Sequence, residues 1–141
     1  MKRESTRLSC VAASGGQATL DLDWWMKNIP GYAEPHRDHR ESFGVETKEE
    51  LKPLLEEYSV IHHVTADDPP IFMSYLQHPD DPVPEDPARA RSWKVHHVTF
   101  GIVLKKKLES LGIEADLHYP GAETTYRWIG DFFVNKLLPR G

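Results

Sequence analysis

The period of the apolar positions changes several times along the chain, and each change marks an element. Residues 8–13 are a short, mostly apolar run closed by Ser14-Gly15-Gly16, the pattern of a buried strand ending in a turn. Residues 21–28 predict a short helix, broken by Pro30-Gly31. Residues 30–44 are rich in charge, His, Pro and Gly without periodicity, so they predict an exposed excursion. Thr47-x-x-Glu50 has the form of a capping box, and Leu51, Leu54, Leu55 and Tyr58 come after it at helical spacing. Pro53 interrupts this stretch and is read as a first-turn residue of a helix that begins later than the box.

Ala66-Asp67-Asp68-Pro69-Pro70 is a turn, and the nearly continuous apolar run over residues 71–76 suits a strand covered on both faces. A Pro/Asp-rich loop occupies residues 78–87. Trp93, Val95, Ile102, Val103, Leu104, Leu108 and Leu111 recur at helical period and predict one helix over residues 93–111, ended by Gly112. Residues 115–119 are the third strand candidate. The last helix is expected over about residues 124–138, with Tyr126, Ile129, Phe133 and Leu137 along one face and Phe132 beside them.

Strands separated by helices imply parallel crossovers, so the expected architecture is α/β: about three parallel strands with flanking helices. Such a sheet needs cover on both faces, and few helices are at hand. One edge is therefore expected to meet more strands, and an open edge is also a surface for self-association.

Composition narrows the function classes. At 141 residues the chain is read as a single domain over residues 1–141, and 39% hydrophobic residues with four Trp, five Tyr and five Phe can build one packed interior. A net charge of -5 argues against nucleic-acid binding, and Lys105-Lys106-Lys107 reads as the solvated face of a helix. Cys10, the single cysteine, excludes an internal disulfide and reads as a buried structural thiol. No apolar run approaches the ~20 residues of a membrane span, residues 1–7 do not have the form of an export signal, and no location is assigned. His36-x-x-His39, His62-His63 and His96-His97 are the candidates for metal ligation. Adjacent residues point in different directions, His36 and His39 read as solvated surface, and neither a metal nor a cofactor is expected.

In open parallel sheets ligands bind beyond the carboxyl ends of the strands, which directs attention to Ser14-Gly15-Gly16, residues 78–84 and residues 120–125. Taken in order, several segments carry a resemblance: Tyr58-Ser59, Asp67-Asp68-Pro69-Pro70-Ile71, Asp80-Asp81-Pro82-Val83-Pro84, Leu111-Gly112-Ile113-Glu114-Ala115, Tyr119-Pro120-Gly121-Ala122 and Asp131-Phe132-Phe133. Together they resemble the last third of α/β-hydrolases of the esterase/lipase and prolyl-oligopeptidase-like branch. The resemblance implies a partial α/β-hydrolase fold whose triad acid falls on Asp80, with Asp81 as the alternative because the loop lacks the family's usual glycine. That acid would accept the histidine's ring N–H and stabilise the imidazolium. Read without the resemblance, the two aspartates are turn formers.

The pattern is incomplete. Where the family carries its histidine, Pro120-Gly121-Ala122 is succeeded by Glu123-Thr124-Thr125, and a glutamate does not shuttle protons to serine at neutral pH without a large pKa shift. His118 lies within the third strand and reads as a satisfied, partly buried side chain. There is no G-x-S-x-G; Ala12-Ala13-Ser14-Gly15-Gly16 is a variant of it at a strand end, but Asp21-Leu22-Asp23 resembles the strand that comes after the elbow unit, which puts the elbow before Met1. The chain is thus expected to be the C-terminal part of a serine esterase/lipase-like hydrolase of carboxylic esters, inactive alone, with a small-molecule ester as the partner of the completed protein. The alternative is a hydrolase-like scaffold without catalysis, serving binding or structure.

Overall fold

The computed structural model describes residues 7–138. Three four-residue strands, β1 (Val11–Ser14), β2 (Ile71–Ser74) and β3 (Ala115–His118), form one parallel sheet in the order β1-β2-β3. The chain is an α/β protein. Its helices are α1 (Leu22–Asn28), α2 (His39–Phe43), α3 (Lys48–Glu57), α4 (Pro87–Val95), α5 (Thr99–Ser110) and α6 (Ile129–Leu137), with a 3-10 turn at Val60–His62.

Period-two alternation divides the core into two layers. Met73 and Tyr75 of the β2 segment and Ala115 and Leu117 of β3 face a main cluster with Trp25 and Ile29 of α1 and Phe100, Leu104 and Leu108 of α5. Phe72 points the other way, to a smaller cluster with Tyr126 and Phe132, flanked by Cys10, Ala12 and Phe133. Two crossovers of one hand, stepping the same way across a sheet, put their helices on one face. The other face is left to the segment beyond β3, and β1 at its edge remains half-buried.

Several expectations need correction. The capping box is formed: Thr47 Oγ1 accepts the Glu50 N–H at 3.2 Å and the Glu50 carboxylate accepts the Thr47 N–H at 3.1 Å. It sets the start of α3, so Pro53 lies inside the helix and not in its first turn. Pro53 removes one donor to the Glu49 carbonyl, and because both residues are exposed, water can serve that carbonyl.

The single helix expected over residues 93–111 is two. Asp86 caps α4, accepting the Arg89 N–H at 2.8 Å, and Pro87 occupies its first turn. At the junction His96 Nδ1 donates to the Gly15 carbonyl at 2.7 Å, while His97 Nδ1 accepts the Thr99 N–H at 3.2 Å and so caps the start of α5. The backbone ladder still reaches His96, whose N–H donates to the Ser92 carbonyl at 3.1 Å, and the His97 side chain then serves the Thr99 N–H.

Residues 30–44 are not wholly exposed. Tyr32 and His39 are buried, Asp38 caps α2, and the His36 ring stacks on Trp25 at 5.5 Å, which anchors the excursion to the main core. The last helix starts later than expected, and Phe132 is its fully buried residue, whereas Ile129 and Leu137 are exposed. Phe72 fixes that choice, its ring lying 5.7 Å from Phe132. Cys10 is half-buried beside this cluster.

Candidate functional site at the carboxyl ends of the strands

Because the strands are parallel, their carboxyl ends share one rim, which gathers Ser14-Gly15-Gly16, the segment after β2 and the segment after β3. A tight turn comes directly after β2. The Asp81 N–H donates to the His78 carbonyl at 3.1 Å, and the Asp81 carboxylate accepts the His78 N–H at 2.8 Å. The Asp80 carboxylate points outward, with 90% of its side chain exposed, and lies 3.7 Å from His78 Nδ1. Of the two aspartates, Asp81 is the one held by the backbone.

His78 opens a rim segment that the sequence singled out, but no role for it is read from the sequence. Its ring packs edge-on against Tyr119 at 5.8 Å, and a Cβ added at Gly121 would lie 3.8 Å from its Cδ2. It therefore stands between the acid-bearing turn and the loop after β3. Its Nδ1 accepts the Asp80 N–H at 3.1 Å, so the neutral ring carries its proton on Nε2. A triad histidine needs the opposite tautomer.

Behind the turn, the Gln77 amide donates to the carbonyls of Trp93 at 3.1 Å and His96 at 3.0 Å, tying the segment after β2 to the end of α4. His97 is fully buried against Trp93, with ring centroids 4.4 Å apart. Its Nε2 has no hydrogen-bond partner among the described residues. Burial lowers its pKa, an effect the charge of Asp81 partly opposes. His97 is thus a neutral ring with a donor aimed at nothing.

The remaining sequence candidates are scattered. Ser14 is exposed at the end of β1, and Glu123 is exposed in the loop after β3. His118 is half-buried as expected, and its Nε2 donates to the Asp116 carboxylate at 2.8 Å, which satisfies one of its two ring nitrogens. The same carboxylate accepts the N–H groups of Thr125 at 2.9 Å and Tyr126 at 3.1 Å. Burial pushes the Asp116 pKa up, but the bonds from Thr125, His118 and Tyr126 outweigh it and hold the carboxyl below its ordinary value. Asp116 and His118 share a face by strand periodicity, a signal present in the sequence; the two loop donors are not.

A cleft of about 800 Å³ lies elsewhere, between the start of α1, residues 35–40 and α3, and its lining shares no residue with the rim. Among the described residues no three His, Cys, Asp or Glu side chains converge as a metal site would require, and no helix is long and apolar enough to cross a membrane. No protein-family model matches the chain, and neither a curated protein nor a solved structure does.

Proposed function

We propose that this chain is the C-terminal part of a serine esterase/lipase-like α/β-hydrolase acting on carboxylic esters, and that it contributes the triad acid, Asp80 or its neighbour Asp81. The observation that carries the reading is the parallel orientation of β2, whose carboxyl end leads into the Asp80-Asp81 turn at the rim shared with Ser14-Gly15-Gly16 and the loop after β3. The residues quoted for the resemblance supply the rest. In the completed protein the acid would orient and charge-stabilise a triad histidine, whose place in the family's pattern is taken here by Glu123.

The test is the reading frame extended upstream. With Glu123→His restoring the family's histidine, the extended protein should hydrolyse p-nitrophenyl butyrate, and adding Asp80→Asn should lower kcat by roughly 10⁴-fold, the scale for loss of a triad acid. If Asp81→Asn carries the loss instead, the acid is Asp81. An upstream region encoding no strand, G-x-S-x-G turn and helix would end the proposal.

The second reading, a scaffold without catalysis, is favoured by the tautomer of His78 and by Glu123 in the loop after β3. It predicts an extended protein inert toward esters, in which Asp80→Asn changes neither activity nor stability.

A further inference from the structure

The rim leaves one group of chemically capable side chains unused. Strand register places Ser14, Ser74 and His118 in one row across the sheet, with Ala12, Phe72 and Asp116 two residues earlier in the corresponding row. Paired residues of a parallel sheet project to the same side, so Ser74 and His118 are neighbours on one face, on strands roughly 4.8 Å apart. On this face Phe72 packs with Phe132 of α6, while Ser74 and His118 are half-buried.

Three features make the row chemically specific. Asp116 is almost completely buried and accepts three hydrogen bonds, which keep it ionised. An ionised carboxylate only accepts, so the His118 proton must sit on Nε2, leaving Nδ1 as an acceptor. Among the described residues Nδ1 has no hydrogen-bond partner, and neither has the Ser74 hydroxyl. The Phe72 ring lies 4.3 Å from the imidazole and, with Cys10 and Ala12 beside it, offers an apolar wall.

We infer that Ser74, His118 and Asp116 form a unit that accepts the acyl group of an activated short-chain carboxylic ester. Ser74 and His118 are register partners on adjacent strands, and the unit requires a χ1 rotamer of Ser74 that turns its hydroxyl to Nδ1. The Ser74 oxygen attacks the ester carbonyl carbon, its proton passes to Nδ1, and the imidazolium formed is stabilised by Asp116. As the carbon–oxygen bond to the leaving group breaks, that group takes the proton and departs as an alcohol. The products are acyl-Ser74 and a neutral His118. Because the ester attacked is activated and acyl-Ser74 is an ordinary alkyl ester, deacylation is slower than acylation and the acyl group accumulates.

The chain is incubated with p-nitrophenyl acetate and monitored by p-nitrophenolate release, intact mass and peptide mapping. One acetyl group on Ser74, absent in Ser74→Ala, is expected. His118→Gln should slow acetylation by at least ~100-fold, the lower range for general-base assistance, with an unchanged circular dichroism spectrum. In His118→Ala, added imidazole should restore the rate, which a merely structural role for His118 would not allow. No acetylation, acetyl groups on other residues only, or a His118→Gln variant acetylated at the wild-type rate would overturn the inference.

Discussion

Gly101 of α5 lies against Tyr75 so closely that a Cβ placed on it would come within 2.3 Å of the Tyr75 ring and 2.6 Å of Leu117 Cδ1. The missing side chain is what lets α5 settle onto the sheet. Tyr75 is held in turn from the other end, because its hydroxyl donates to the Gly16 carbonyl at 2.6 Å. Replacing Gly by Ala inside a helix ordinarily gains about 1 kcal/mol of propensity. Here overpacking should outweigh that gain, and Gly101→Ala should lower stability by about 1–3 kcal/mol in urea unfolding monitored by tryptophan fluorescence. An unchanged or raised midpoint would show that α5 does not rest on Tyr75.

Asp116 ties β3 to the loop after it. Its folded pKa lies below the unfolded value, so its stabilisation is fully present above the unfolded carboxyl range and is lost as pH falls through the folded pKa. Asp116→Asn should cost about 1–3 kcal/mol near neutral pH, because the Thr125 and Tyr126 N–H groups lose a charged acceptor. The variant should also lose less additional stability than the wild type on acidification below about pH 4. Urea midpoints across that range check both statements.

His97 acts in a different window. It is buried neutral, with its pKa lowered first by burial, so the unfolded chain takes up a proton below about pH 6.5 before the folded one does, and stability falls as pH drops through that range. His36 and His39 are lowered for the same leading reason and add to the slope. His97→Phe, which removes both the titrating ring and the orphaned Nε2, should reduce the difference in urea midpoint between about pH 7.5 and pH 5.5. A slope equal to that of the wild type would mean that His97 takes up its proton alike in the folded and the unfolded chain.

The capping box of α3 stabilises a helix with no fully buried residue. Thr47→Ala should therefore act locally: a cap of this kind contributes about 1 kcal/mol to its helix, but little tertiary packing transmits the loss. Amide exchange at Glu49, Glu50 and Leu51 should speed up while the global urea midpoint moves by less than about 0.5 kcal/mol. Cooperative loss of the whole fold would show that α3 is packed more firmly than its exposure indicates.

Among the elements, those with strong local terminators are legible along the chain. Asp67-Asp68-Pro69-Pro70 before an apolar run marks β2, Asp21 caps α1, and Gly112 comes just after the end of α5 with a positive φ of 78°. The break between α4 and α5 is not, because the carbonyl that receives His96 belongs to Gly15, 81 residues away. His78 is equally hidden: nothing near it in sequence announces Tyr119 or Gly121 as neighbours.

What the sequence determined by itself was the number, order and kind of the strands and the rim on which Asp80 and Asp81 come after β2, since these depend on side-chain period and on turn residues close along the chain. Only the tertiary structure decided which face of α6 is buried, which aspartate of the turn is held by the backbone, and that Ser74 and His118 are register partners. Those outcomes depend on strand register and on contacts between distant segments, where burial and hydrogen-bond satisfaction are settled by whatever the fold brings alongside.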